Sequence, residues 1–240
     1  SPLPRALPEE TGIPSGVIAD FLTDLKNDPT LDMHTVLFVK NGAVIASAEF
    51  GEHSMGIPKY VFSASKSVTA LAIGMLIDDG KLSMNEKLVD IFGDLTNTIS
   101  KLRLRDVTVE TLLTMRSCSI FNEVSSMTTP DWQSEFMKSL TRGTVNTDFN
   151  YNSLNTYMLA AIVRRKTGKG LVEYLTPRLF EPLDIKNIYW EKSPEGIEKG
   201  GWGLYIRPED FAKIGLMVQN GGTWNGKRLI SSVWLEQAVS

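Results

Sequence analysis

Histidine and cysteine are nearly absent from this chain: two and one, respectively, in 240 residues. A lone Cys118 excludes an intrachain disulfide. His34 and His53 are the only imidazoles, and neither His-x-x-x-His nor Cys-x-x-Cys spacing occurs. No metal site is therefore expected. The Gly-x-Ser-x-Gly elbow is missing as well. A Ser-His-Asp triad would have to recruit His34 or His53, which lie beside a predicted hairpin and read as strand-edge or turn residues. A nucleophilic serine here needs a base other than histidine. Charge of one sign is also lacking. With 25 basic and 28 acidic side chains the net charge is −3, so no nucleic-acid partner is expected. The cluster Arg164, Arg165, Lys166 and Lys169 falls at the end of a predicted helix, where cations complement the dipole. No apolar run is long enough to cross a bilayer. There is no signal peptide, yet the chain opens on Ser1 without methionine. A soluble protein is expected, cytoplasmic or exported after leader removal, with the compartment and the oligomeric state left open.

What is present is an ordinary globular composition, 42% hydrophobic and 22% charged, sized for a single domain over 1–240. Val17–Leu25 has helical apolar spacing. Thr35–Lys40 and Ala43–Phe50 read as strands joined by Asn41-Gly42, a dipeptide suited to a type I′ turn. Ala64–Asp79 is apolar on several sides and is expected to be a buried helix, closed by Gly80. Ser83 and Glu86 predict a capping box opening a short helix. Thr108 caps Val109–Met115, residues 116–131 read as loop, and Trp132–Leu140 as helix. Leu154–Lys166, Leu171–Leu179, Glu209–Gln219 and Val233–Val239 complete a helical body, with the helical lobe at roughly 64–190. No later strand-rich segment is legible. An isolated hairpin is marginal in water, so further strands are needed to complete its sheet.

Ser63-Ala64-Ser65-Lys66 is the only Ser-x-x-Lys in the chain. Its position at the mouth of the buried helix makes it informative. Free backbone N–H groups and the helix dipole there favour a developing alkoxide. Lys66 lies three residues on, one turn away on the same face. A lysine at that place must be paired or have its pKa lowered, and either condition suits a partner for a nucleophilic serine. The plain alternative is that Ser63 is an N-cap and Lys66 a solvated first-turn residue. Tyr151, just before the Leu154–Lys166 helix, adds a group whose phenolate a nearby ammonium would favour. Its plain alternative is a half-buried turn tyrosine.

These segments resemble the serine β-lactamase and penicillin-binding-protein superfamily, especially its class C-like esterases and amidases. Phe62-Ser63-Ala64-Ser65-Lys66-Ser67-Val68-Thr69 is similar to that family's nucleophile motif. Leu76–Ser83, Thr111–Met115, Tyr151-Asn152-Ser153, Phe180–Leu183 and Pro208–Lys213 match later landmarks in order, over about residues 31 to 240. The resemblance implies an α+β, β-lactamase/transpeptidase-like fold, an antiparallel sheet with a large helical lobe. It implies Ser63 as nucleophile, Lys66 and Tyr151 as its proton-handling partners, and the Ser63 amide as half of an oxyanion hole. It also implies Ser153 as a substrate contact, an acyl-enzyme route, and no metal or organic cofactor. The substrate would be a small-molecule ester or amide, with β-lactams and D-amino-acid peptides among the candidates. Ser153 stands where the family has asparagine, Arg116-Ser117-Cys118 replaces a Ser-Gly turn, and Asp184 replaces a glycine. Lys166-Thr167-Gly168 matches the family's third motif in letters only. It ends a helix, and Gly168 reads as its cap. The third motif and the C-terminal strands are expected beyond Ser240. The competing reading is a non-catalytic ligand-binding or scaffold protein on the same fold, which would not acylate at Ser63.

Overall fold

The Asn41-Gly42 turn forms as its residues require. Both positions have positive φ, 54° and 78°, and they join β1 (Thr35–Lys40) to β2 (Ala43–Glu49) in antiparallel register, Thr35 opposite Glu49. This computed structural model describes residues 1–240. The far edge of β2 is not bare. The Val44 amide donates to the Pro4 carbonyl and the Ala6 amide to the Val44 carbonyl, so the proline-rich N-terminal segment adds a short parallel bridge. A helix α1 (Ser15–Asn27) precedes the hairpin.

β3 (Lys59–Tyr60) leads through a 3-10 turn at Phe62–Ala64 into α2 (Ser65–Asp78). Short helices α3 (Leu88–Ile91), α4 (Thr98–Arg103), α5 (Val109–Leu113), α6 (Glu123–Ser126) and α7 (Trp132–Lys138) follow. Then come α8 (Ser153–Thr167) and α9 (Leu171–Leu175), which runs into a π-helical turn at Thr176–Phe180. β4 (Tyr189–Trp190), β5 (Leu204–Ile206), α10 (Pro208–Gln219), β6 (Thr223–Trp224), β7 (Lys227–Arg228) and α11 (Ser232–Ala238) complete the chain. The strands form three small antiparallel sheets: β1-β2, β3-β5-β4 and β6-β7.

The core explains the order. α2 is apolar all round and is enclosed: Val68, Ala72, Ile73, Met75 and Leu76 have no exposed surface. α8 lies against it and buries Leu154, Tyr157, Met158, Ala161 and Ile162 in the same cluster. Each such large side chain contributes about 1.5–3 kcal/mol by leaving water. The packing of α2 on α8 is what brings Ser63 and Lys66, at the start of one helix, to Tyr151 and Ser153, at the start of the other. No helix is long and apolar enough to cross a membrane.

Three expectations need correction. Ser83 and Glu86 do not open a helix. Ser83 Oγ accepts from the Asn85 amide in a turn, α3 starts only at Leu88, and Glu86 is drawn off to pair with Lys166. Residues 116–131 are not all loop, because Asn122 caps the single-turn α6 by accepting from the Val124 and Ser125 amides. Strands do occur after the hairpin. Two- and three-residue strands such as β4 and β5 are too short to show a period of two.

Candidate active site

Ser63 is exposed and lies in the turn between β3 and α2. Phe62, just before it, holds φ at 45°, a left-handed conformation costly for a residue with a β-carbon. Neighbouring strands hold this turn in place. The Ser65 hydroxyl donates to the Phe62 carbonyl at 2.6 Å, and the Leu204 amide of β5 donates to Ser65 Oγ at 3.2 Å. The Val61 amide donates in turn to the Leu204 carbonyl at 3.0 Å. The N-cap position of α2 belongs to Ala64 and has no side-chain cap bond, so Ser63 is not an N-cap.

Lys66 is not a solvated first-turn residue either. Its ammonium donates to Ser63 Oγ at 3.1 Å, to Ser153 Oγ at 2.9 Å and to the Gly201 carbonyl at 2.7 Å. Three acceptors match the three N–H bonds of a protonated amine. Gly201 reaches Lys66 only because it has no side chain. A β-carbon there would stand 2.6 Å from the Ser153 carbonyl oxygen. The adjacent Gly200 carbonyl accepts from Thr69 Oγ1 of α2 at 2.8 Å, which ties the same loop to α2 a turn further on.

Tyr151 Oη lies 2.8 Å from Ser63 Oγ, and the Lys66 ammonium sits 4.8 Å from the Tyr151 ring centre. Partial burial pushes the phenol up, but the Lys66 ammonium and the Ser63 hydroxyl outweigh it and leave the Tyr151 pKa below that of ordinary tyrosine. Glu123 opposes them. The backbone around Tyr151 is held from both sides. The Asn150 amide donates to the Met115 carbonyl. Asn152 is buried, caps α8 at the Leu154 amide, and donates to the Ser119 and Phe121 carbonyls at 3.1 and 2.8 Å. The Ser153 amide donates to Glu123 Oε1 at 3.0 Å.

The structure therefore brings together Ser63, Lys66, Tyr151 and Ser153, all named from the sequence. Ser153, expected to face substrate, is only 4% exposed and turns its hydroxyl to Lys66. Gly201 and Glu123 carry no sequence expectation, and Asn152 enters only within the Tyr151-Asn152-Ser153 segment. The Gly200-Gly201 doublet was the available signal, since paired glycines mark close backbone approach. Lys166-Thr167-Gly168 ends α8, with Gly168 in the left-handed cap conformation and Lys166 paired to Glu86. Cys118 is buried and free.

The Beta-lactamase family profile matches residues 14–234, and the chain belongs to that family. It is 29% identical over 203 residues to the 6-aminohexanoate-dimer hydrolase of Paenarthrobacter ureafaciens, covering 75% of this chain and 50% of that protein. The solved structure of FmtA from Staphylococcus aureus superposes with a TM-score of 0.74 at 16% identity, covering 98% of this chain and 72% of that one. The D-amino acid amidase of Ochrobactrum anthropi gives 0.63 at 17% identity, covering 84% and 67%. The fold is thus β-lactamase/transpeptidase-like and α+β, as expected. The chain spans half the length of the first of these relatives.

Proposed function

We propose that the chain carries the acylating centre of a serine hydrolase that cleaves ester or amide bonds in small molecules. The observation that carries this reading is the double contact on Ser63 Oγ, 2.8 Å from the Tyr151 hydroxyl and 3.1 Å from the Lys66 ammonium. Lys66 donates to Ser63, Ser153 and Gly201 and lowers the Tyr151 pKa, which suits Tyr151 to take the proton. Tyr151, as phenolate, accepts the Ser63 proton while Ser63 Oγ bonds to the substrate carbonyl carbon. The same proton then passes to the leaving alcohol or amine as the C–O or C–N bond breaks. Water, deprotonated in the reverse sense, releases the acid and returns the proton to Ser63. Ser153 and Gly201 hold Lys66 against this pair.

Amide cleavage is favoured over a dedicated β-lactamase reading. The 29% identical relative is named a 6-aminohexanoate-dimer hydrolase and not a β-lactamase, and on the family resemblance Ser153 stands where asparagine is expected. The test is incubation with a p-nitrophenyl ester and intact-mass detection of the chain. A transient mass gain of one acyl group, mapped to Ser63 and absent from Ser63→Ala, is expected. An ester that turns over with no adduct at any quench time, and equally in Ser63→Ala, would overturn the proposal.

A further inference from the structure

The only two histidines of the chain, 19 positions apart, are stacked ring on ring at 3.6 Å with 22° between their planes. The hairpin puts them there. The Phe50 amide donates to the His34 carbonyl at 3.0 Å, just outside the Thr35–Glu49 pair, and the His53 amide donates to the Phe50 carbonyl at 3.2 Å. Asp32 completes the group, its carboxylate 3.6 Å from His34 Nε2. One ligand atom from each of the three side chains lies within 4.8 Å of the others. The group shares no residue with the Ser63 cluster.

We propose that Asp32, His34 and His53 form a binding site for a borderline divalent transition-metal ion, with Zn²⁺ the ion to test. Two imidazoles and one carboxylate are the donor set such an ion takes, and three protein ligands leave a coordination position for water. The backbones of His34 and His53 are pinned by the hairpin bonds, so the two imidazoles are already gathered. Asp32 and His34 are exposed, so their side chains can turn without disturbing the core. Binding requires the rings to open from the stack, because the lone pairs of stacked imidazoles run side by side rather than converging. The bound ion would clip the segment before β1 to the segment after β2. A scan for His-x-x-x-His spacing cannot find such a site, since the ligands come from the two ends of a hairpin. One neighbour opposes it. Lys59 Nζ approaches His53 Nδ1 at 3.5 Å, and its positive charge disfavours a second cation there.

The experiment is titration of the EDTA-treated chain with ZnCl₂, followed by calorimetry and by the two histidine ring-proton resonances in NMR. One ion per chain with Kd below about 100 µM is expected, with both ring resonances moving together and complete at one equivalent. His34→Gln and His53→Gln should each weaken binding by about tenfold or more. Lys59→Gln should tighten it, by about threefold at low salt. Melting of each variant in EDTA serves as the folding control. The proposal is overturned by a chain that binds no Zn²⁺ at 1:1 stoichiometry. It is overturned equally by binding that moves one histidine resonance or neither, or by an affinity unchanged in both histidine variants.

Discussion

Replacing Ser153 by alanine separates two roles for that residue. The structure places its hydroxyl 2.9 Å from Lys66 Nζ, while the family comparison would put this position against substrate. Ser153→Ala leaves Lys66 with two acceptors, Ser63 and Gly201. A hydrogen bond to a charged group is worth about 1.5–3 kcal/mol. Lys66 is only half-buried, and water can enter where the hydroxyl was, so the low end applies. A loss of about 1.4 kcal/mol in holding the ammonium beside Ser63 and Tyr151 corresponds to about tenfold in the rate of Ser63 attack. The assay is the second-order rate constant for labelling by a small fluorophosphonate, which has no amide group for Ser153 to recognise. An unchanged labelling rate, with only amide turnover slowed, would refute the positioning argument and return Ser153 to a substrate contact.

Five further outcomes follow from the structure. The proposed role of the Tyr151 phenolate predicts a labelling rate that rises with pH along a limb set by Tyr151, at a pH below that of ordinary tyrosine. Tyr151→Phe should slow labelling by about 100-fold or more and remove that limb. Glu123→Gln removes the charge that holds the Tyr151 pKa up, so its limb should move to lower pH in the same rate–pH measurement. Asn152→Ala forfeits the α8 cap and leaves the Ser119 and Phe121 carbonyls without their partner. Urea unfolding should report a loss of about 2–4 kcal/mol. Gly74→Ala drives a methyl group into the Trp234 indole and should cost about 1–3 kcal/mol, a fall of roughly 2–12 °C in Tm.

The sequence made the helices and the Ser63 turn legible because both have local signatures. α2 is apolar round its circumference, α8 ends at a glycine, and Asn41-Gly42 can serve only as a tight turn. The Ser63–Lys66 spacing is also local, so both could be named from the chain alone. Tyr151 needed the family comparison, because nothing near it in sequence points to Ser63. What could not be read is whatever depends on contact between distant segments. Gly201 reaches Lys66 across 135 positions and Glu123 reaches the Ser153 amide across 30. β5 has three residues, yet it fixes the Ser63 turn through Leu204. The Ser83–Glu86 capping pattern failed for the same reason, since Glu86 finds Lys166 instead of a local amide. From the sequence the histidines read as strand-edge or turn residues. That describes their backbone and not the stack the hairpin makes of them.

The central claim is that Ser63 is activated by Lys66 and Tyr151. Its most direct test is fluorophosphonate labelling of the folded chain, with the adduct located by peptide mass spectrometry. Modification of Ser63 alone, lost in Ser63→Ala and strongly slowed in Lys66→Met, is the predicted result. A folded chain that takes no label, or takes it at serines generally and without regard to Lys66, would contradict the account.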